Sequence, residues 1–482
     1  MTEQSNQVRM TGKELAIVLV IALGSFMAGL DATIVNIALP SIAKAFSVPT
    51  VVASWVLNAY LIILVSLLLA AAKIGDIKGY KKIFLIGFAI FTAGSAFCGV
   101  APSVESLIIF RMVQAVGGAV IAALGSVMVT SYLGKQVRGQ ALGLVAMFTM
   151  LGVALGPVIG GFLTSAFSWR FIFLVNIPVG IIALLAGVSM IPPKNPVSPG
   201  SRLDLAGVVL VFVALSTLVI GLNNIQGGEV GNGGVFLVIA IVFLLLFYFR
   251  EKRAEEPLIT LSLFRNTAYS FQNIAIMLLQ VGLAGVMFLM PFYLEIVKEL
   301  PTGTSGAILL ALPVGNILTG PIAGKVSDVI GTKKPIMLGF LVMVIALFLL
   351  STLSVRSHTG EAGFYLFILG AGAGIAYAPL NSALMGLSPE AGRGMTSGLI
   401  KMMTNLGSTL GITLTLLVMT ISLGPKLAHV SAHLIRPAEL VTAFDSAFLF
   451  CMALQVVALV LMLGVKTHEN PSAGQEESLP DA

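Results

Sequence analysis

The chain has 482 residues, 57% hydrophobic and only 10% charged, with a mean hydropathy of +1.02. Soluble domains carry about 25% charged residues, and so few polar groups cannot cover a water-facing surface; a soluble globular protein is excluded. The net charge of +6 would suggest a nucleic-acid partner in a soluble chain, but beside a membrane it reflects basic loops, and no nucleic acid is expected.

Uncharged apolar runs long enough to cross a bilayer recur from residue 15 to residue 465. They are continuous, without the alternation over about 10 residues of barrel strands, so they predict helices. In chain order the expected spans are 15–37, 52–72, 83–101, 106–132, 141–166, 171–191 and 204–222. They continue as 235–249, 268–294, 304–324, 335–354, 363–388, 395–423 and 444–465. The first run lacks a small-residue cleavage site before Asp31 and reads as an uncleaved span. With the N-terminus cytoplasmic, 19 of the 27 Lys and Arg fall on the cytoplasmic side and six outside. Arg111 and Lys401 lie within spans. That bias predicts both termini in the cytoplasm of a multi-pass protein of the cell membrane.

Span 1 carries the stretch Leu30-Asp31-Ala-Thr33-Ile-Val-Asn36-Ile-Ala-Leu-Pro40, with Asp31 deep in an apolar helix. An intramembrane carboxylate is a functional-site candidate by default; the alternative is a structural tie to Arg111 or to a backbone group. Phe26, Asn36, Trp55, Asn58 and Tyr60 of spans 1 and 2 are candidates to line a solute cavity. Span 4 carries Arg111 and, one turn on, Gln114, which favours an inward polar stripe over an arginine snorkelling to the interface. Span 5 carries Gly152, Gly156, Pro157, Gly160 and Gly161: the proline bends the helix and the glycines admit a close neighbour. Glu295, at the outer end of span 9, is a second candidate carboxylate.

A loop pattern K-[IV]-x-D-[IV]-x-G-x-K-K occurs twice. It holds Lys73, Asp76, Gly79, Lys81 and Lys82 after span 2, then Lys325, Asp328, Gly331, Lys333 and Lys334 after span 10. Duplicate loops at corresponding positions predict two homologous halves. The expected organisation is a cytoplasmic N-terminus (1–14), a six-helix bundle (15–191), a linker and inserted helix pair (192–250), and a cytoplasmic linker (251–267). A second six-helix bundle (268–465) and an acidic cytoplasmic tail (466–482) complete it. The fold class is all-α, two bundles plus an inserted pair. The loops are expected to latch the bundles together on the cytoplasmic face.

Cys98 and Cys451 both fall in apolar runs, so no disulfide framework is expected. His429 and His433 are four residues apart, but no third ligand completes a metal set. No metal or cofactor is expected. Metalloprotease, hydrolase and nucleotide-binding motifs are missing from the sequence, which argues against an enzyme or an ATP-driven pump. No filter-like segment points to a channel, and duplicated halves favour a rocking transporter over a pore or receptor.

Together these stretches resemble the major facilitator superfamily, and within it the fourteen-span drug:proton antiporter family. The resemblance rests on residues 30–40, both duplicated loops, residues 111–118, the Gly152–Gly161 segment and residues 169–180, and it runs from about residue 15 to 465. It implies two six-helix bundles around a central cavity, alternating access driven by protons, and export of amphiphilic organic compounds. It also implies Asp31 as a substrate- or proton-binding group assisted by Arg111. The implied partners are a small-molecule substrate, protons and the lipid bilayer, with a monomer as the simplest assembly. An exporter dedicated to one metabolite, lipid or peptide is the alternative. Two departures stand out: Ala72 replaces the glycine that usually begins the first loop, and span 13 has no acidic residue. The second puts export of divalent organic cations in doubt.

Overall fold

The computed structural model describes residues 10–134, 137–196, 203–226, 228–254, 261–388, 393–424 and 436–465. The His429–His433 pair, the acidic tail and the side chain of Asp328 lie outside the described residues. Among the described residues every regular element is helical, and fourteen helices are long and apolar enough to cross a membrane. Helix is the economical solution in lipid, because each segment satisfies its own backbone N–H and C=O groups.

The first six are Gly12–Phe46, Thr50–Lys78, Tyr80–Gly99, Val104–Tyr132, Arg138–Ala166 and Phe171–Met190. Spans 7 and 8 are Leu205–Gln226 and Val230–Arg253. Span 9 is Thr267–Phe292, followed by one wide turn, Tyr293–Val297; span 10 is Thr302–Leu309 continued by Ala311–Ile330. The last four are Lys333–Leu350, Thr359–Gly386, Arg393–Leu423 and Pro437–Gly464.

Local chemistry sets the ends. Thr11 accepts a hydrogen bond from the Glu14 N–H while the Glu14 carboxylate accepts from Thr11, a reciprocal cap that starts span 1 three residues before its apolar run. Ser103 and Ser106 make the same reciprocal cap for span 4, and the Asn266 side chain accepts from the Ala268 and Tyr269 N–H groups at the start of span 9. Span 1 runs on through Pro40 to Phe46, well past the apolar limit at residue 37. At 1.5 Å per residue its length is about 50 Å, more than the hydrocarbon core is thick. Both glycines of the duplicated loops take a left-handed backbone (φ +91° at Gly79, +81° at Gly331), a turn that a β-carbon would strain.

The core divides along the helix axes. On the face that carries the N-terminus, here the terminal face, spans 1–6 have an apolar core of their own, with Ile21, Met27, Phe84, Phe88, Ile121 and Val145. A second, larger core joins the opposite-face parts of spans 1–4 and 6, with span 7, to spans 9–14; it includes Ile34, Ile42, Val56, Phe288, Leu312 and Phe444 and, in the second half, continues to the terminal face through Ile336 and Met462. The halves are therefore packed into one body at the far face, while on the terminal face the first half holds a separate core.

Between the two halves, spans 5 and 10 meet backbone to backbone. A β-carbon on Gly306 would fall 2.1 Å from the Pro157 carbonyl oxygen, and one on Gly161 would fall 2.6 Å from that of Thr302. Glycine is required there because the two backbones touch. On the other side span 7 packs against both span 2 and span 13, and span 8 packs chiefly on span 7. Span 8 leaves Val235, Val238, Ile241, Val242, Leu245 and Phe249 exposed, as a lipid-facing helix does. The pair is clasped where it enters and leaves: the Arg250 guanidinium donates to the Asp204 carboxylate at 3.1 Å.

Candidate functional site

Asp31 and Arg111 meet in the first half. Span 1 carries Asp31 between Met27 of the terminal-face core and Ile34 of the shared core, and span 4 carries Arg111 between Leu107 and Ala115 of the same two cores. The pair thus occupies the level at which the two cores meet. Both residues are buried, with Asp31 at 0% and Arg111 at 1% exposure.

Arg111 Nη1 donates to Asp31 Oδ2 at 2.9 Å and to Oδ1 at 3.0 Å, and to Gln114 Oε1 at 2.7 Å; its Nε donates to the Val56 carbonyl at 3.2 Å. Gln114 Nε2 donates to Asp31 Oδ1 at 3.0 Å and to Ser95 Oγ at 2.8 Å. The Cys98 thiol lies 3.7 Å from Gln114 Oε1. The guanidinium lies 4.0 Å from the centre of the Tyr60 ring and 5.6 Å from that of Phe173. Side chains from spans 1, 2, 3, 4 and 6 therefore converge on one charge pair. A guanidinium stays charged at any physiological pH, and a buried partner carboxylate compensates that charge where water cannot.

Arg111 does not snorkel; its head is enclosed and paired. Asp31 does make the tie to Arg111, so any chemistry it performs must first release or rearrange that tie. Tyr60 and Gln114 belong to the network itself rather than to an open wall. Phe26 and Trp55 are partly buried against the shared core. Asn36 and Asn58 are buried, and Asn36 Oδ1 and both side-chain atoms of Asn58 have no hydrogen-bond partner. Buried amide groups left unpaired cost free energy unless a ligand or water meets them. Glu295 sits apart on the wide turn Tyr293–Val297, half-buried, with Oε1 unpartnered.

Ser95, Cys98, Phe173 and the Val56 carbonyl escaped the sequence reading. Each is an ordinary residue of an apolar helix, and only its orientation toward Arg111 gives it a role. Ser95 alone carried a signal, as a small polar residue in the middle of span 3.

The glycines of span 5 face two neighbours. A β-carbon on Gly152 would fall 2.2 Å from the Phe26 carbonyl oxygen, one on Gly156 1.9 Å from Thr33 Oγ1, and one on Gly160 2.6 Å from Ile37. Those three admit span 1. Gly161 and Pro157 turn toward span 10. Span 5 is thus wedged between the helix that carries Asp31 and the other half of the molecule.

Asp76, Lys81 and Lys333 of the duplicated loops make contacts within their own halves. Asp76 accepts a hydrogen bond from Tyr80 at 2.6 Å. Lys81 Nζ donates to the Val188 carbonyl at 2.8 Å, in the last turn of span 6. Lys333, the corresponding residue, donates to the carbonyls of Leu463 at 3.1 Å and Val465 at 2.6 Å, at the end of span 14. Each lysine meets the negative end of the last helix of its half, where a cation is favoured. Lys82 and Lys334 are exposed.

Comparison with known proteins accords with this architecture. Residues 21–412 match the family model described as Major Facilitator Superfamily. The riboflavin transporter RibZ of Clostridioides difficile is 33% identical over 82% of this chain and 86% of its own length. The tetracenomycin C resistance and export protein of Streptomyces glaucescens is 31% identical over 90% of this chain and 82% of its own. Among solved structures, the peptide transporter POT in complex with sulfate superposes with a TM-score of 0.68 at 14% identity, covering 95% of this chain and 96% of that one. The chain belongs to the Major Facilitator Superfamily. It is a multi-pass membrane transporter for small molecules.

Proposed function

We propose that this transporter is a proton-coupled antiporter of the cell membrane that exports amphiphilic organic compounds, with both termini in the cytoplasm and Asp31 as the coupling group. The observation that carries the reading is the enclosed Asp31–Arg111–Gln114 network at the level where the separate and shared cores meet. A proton on Asp31 would cancel the charge that Arg111 compensates and loosen spans 1 and 4 from each other; losing the proton would draw them back. Proton binding is thereby tied to the packing that sets which face is open. With the terminal face cytoplasmic, this conformation is closed outside. The names of the Streptomyces export protein and of the Mycobacterium tuberculosis multidrug resistance protein Stp support export of organic compounds. The name of the RibZ relative favours a second reading, a transporter dedicated to one metabolite of the flavin kind.

Proteoliposomes holding a trapped pH dye and an imposed pH gradient test both readings. Addition of ethidium is expected to collapse the gradient with the native chain and not with Asp31→Asn. Collapse by riboflavin and not by ethidium would favour the dedicated reading. Uphill, pH-driven transport by Asp31→Asn at the native rate would sink the role given to Asp31.

A further inference from the structure

We infer that Thr33 is a positioning residue that completes span 5 from outside. Its hydroxyl supplies the hydrogen bond that Pro157 removes, and so fixes the register between the Asp31 helix and the helix wedged against the second half.

In an α-helix the C=O of residue 153 accepts from the N–H of residue 157. Residue 157 is proline and has no N–H, so the Val153 carbonyl loses its own-helix donor. Thr33 Oγ1 lies 3.1 Å from that oxygen. It also lies 3.4 Å from the carbonyls of Gly29 and Leu30 in its own helix, both longer contacts to groups that span 1 already serves. A hydroxyl has one proton to give, and the short contact to an acceptor without its usual donor is the favoured one. Gly156 makes the approach possible, since a β-carbon there would overlap Thr33 Oγ1 at 1.9 Å.

The second half supplies a control. Thr319 of span 10 donates to the Ala371 carbonyl of span 12 at 2.9 Å, beside Gly374, whose β-carbon would fall 2.4 Å from Thr319 Oγ1. The spacing from carbonyl to glycine is three residues in both places. The residue four beyond Ala371, however, is Ile375, which keeps its N–H. Thr319 therefore adds a second bond to a carbonyl already served, whereas Thr33 supplies the missing one. Thr33 also stands two residues from Asp31, so a change in the ion pair reaches span 5 through this bond.

The test is a cycle that needs no transported solute. Spin labels at Met147→Cys and Val326→Cys, both exposed, read the separation of spans 5 and 10 at the terminal face; the native Cys98 and Cys451 are buried and do not take the label. Thr33→Val is expected to shift the ratio of distance populations about fivefold, the scale of one hydrogen bond, while Thr33→Ser keeps the native distribution. In a Pro157→Ala background, where residue 157 regains its N–H, Thr33→Val should change the distribution by less than about twofold. Thr33→Ala serves as the second variant if Thr33→Val does not insert, with the same expectations. A native distribution for Thr33→Val, a Thr33→Ser as altered as Thr33→Val, or an undiminished shift in the Pro157→Ala background would each overturn the assignment. The inference leans on the proposed antiport only for its link to Asp31. If the native distribution does not change between pH 6 and pH 8, the proton coupling fails and the Thr33 cycle still stands or falls by itself.

Discussion

The two halves share a plan and differ in what they enclose. In the first, spans 1 and 4 bring Asp31, Arg111 and Gln114 into one buried network. In the second, spans 9 and 12 occupy the corresponding places in their bundle, yet Thr267–Phe292 carries no charge and Thr359–Gly386 carries only Glu361, in its first turn. Among the described residues its fully buried polar side chains are neutral: Gln455 donates to the Leu278 carbonyl, and the Thr396 hydroxyl bonds both Tyr269 and Ser388, while the carboxylates Glu295 and Asp445 are only half-buried and have no arginine beside them in the manner of Asp31. A charge pair has two electrostatic states and a neutral network has one. Under the proposed reading the first half is the switch and the second is the surface against which it moves.

The comparison breaks most visibly at the ion pair. Asp31→Asn should leave Arg111 enclosed and uncompensated, at a cost of about 3–5 kcal/mol, and should abolish gradient-driven transport. Adding Arg111→Gln should restore much of the stability without restoring transport. Thermal unfolding in detergent and proteoliposome flux read the two effects separately, and a single variant with native melting temperature and flux would erase the asymmetry between the halves. Gln455→Leu in the second half should cost only about 1–2 kcal/mol, with flux retained.

Next in size is Gly156→Val. It places side-chain atoms where Thr33 Oγ1 already stands, so span 1 or span 5 must move. Expression should fall and flux should drop at least about tenfold, since overpacking costs about 1–3 kcal/mol. The matched change Gly324→Val in span 10, where a β-carbon meets nothing, should be tolerated.

Smaller effects should be symmetric. Lys81→Met and Lys333→Met each remove a cation from a helix C-terminus and should each lower stability by about 0.3–1 kcal/mol. A much larger loss for one of them, seen as unequal shifts in melting temperature, would show that the duplicated loops have diverged in function. The smallest effect concerns the clasp of the inserted pair. Burial pushes the Asp204 carboxyl up, but hydrogen bonds from Arg250 and the Gly207 N–H outweigh it and hold it below the usual carboxylate range. A lowered carboxylate stabilises the fold above its unfolded pKa and loses that contribution as pH falls through the folded value. Asp204→Asn should therefore lower the melting temperature slightly at about pH 6, by a margin that shrinks and is lost as pH falls below the usual carboxylate range.

How much of this was open to reading varies with the range of the interaction. The fourteen helices are legible because each apolar run is long and its breaks are polar; the caps at Thr11 and Ser103, the continuation through Pro40, and the extensions of span 2 to Lys78, of span 10 to Ile330 and of span 14 back to Pro437 lie beyond hydropathy. The Asp76–Tyr80 bond follows from i, i+4 spacing once span 2 is known to run into span 3. Arg111 was ambiguous because snorkelling and pairing have the same local sequence, and its partner stands 80 residues away. Thr33 shows the boundary most clearly. Pro157 announces in the sequence that the Val153 carbonyl lacks a donor, but which helix supplies one depends on how two spans lie side by side.

Spans 7 and 8 enter and leave on one face, held together by Asp204 and Arg250, and this has a consequence for orientation. Each half contains an even number of crossings, so the two begin on the same side of the bilayer. Anything placed between them must also cross an even number of times, or the second half would be threaded upside down. A hairpin is the smallest apolar addition that respects this parity. Removing span 8 alone should therefore invert everything after it, whereas exchanging the whole segment 203–254 for a flexible polar linker should leave both bundles the right way up.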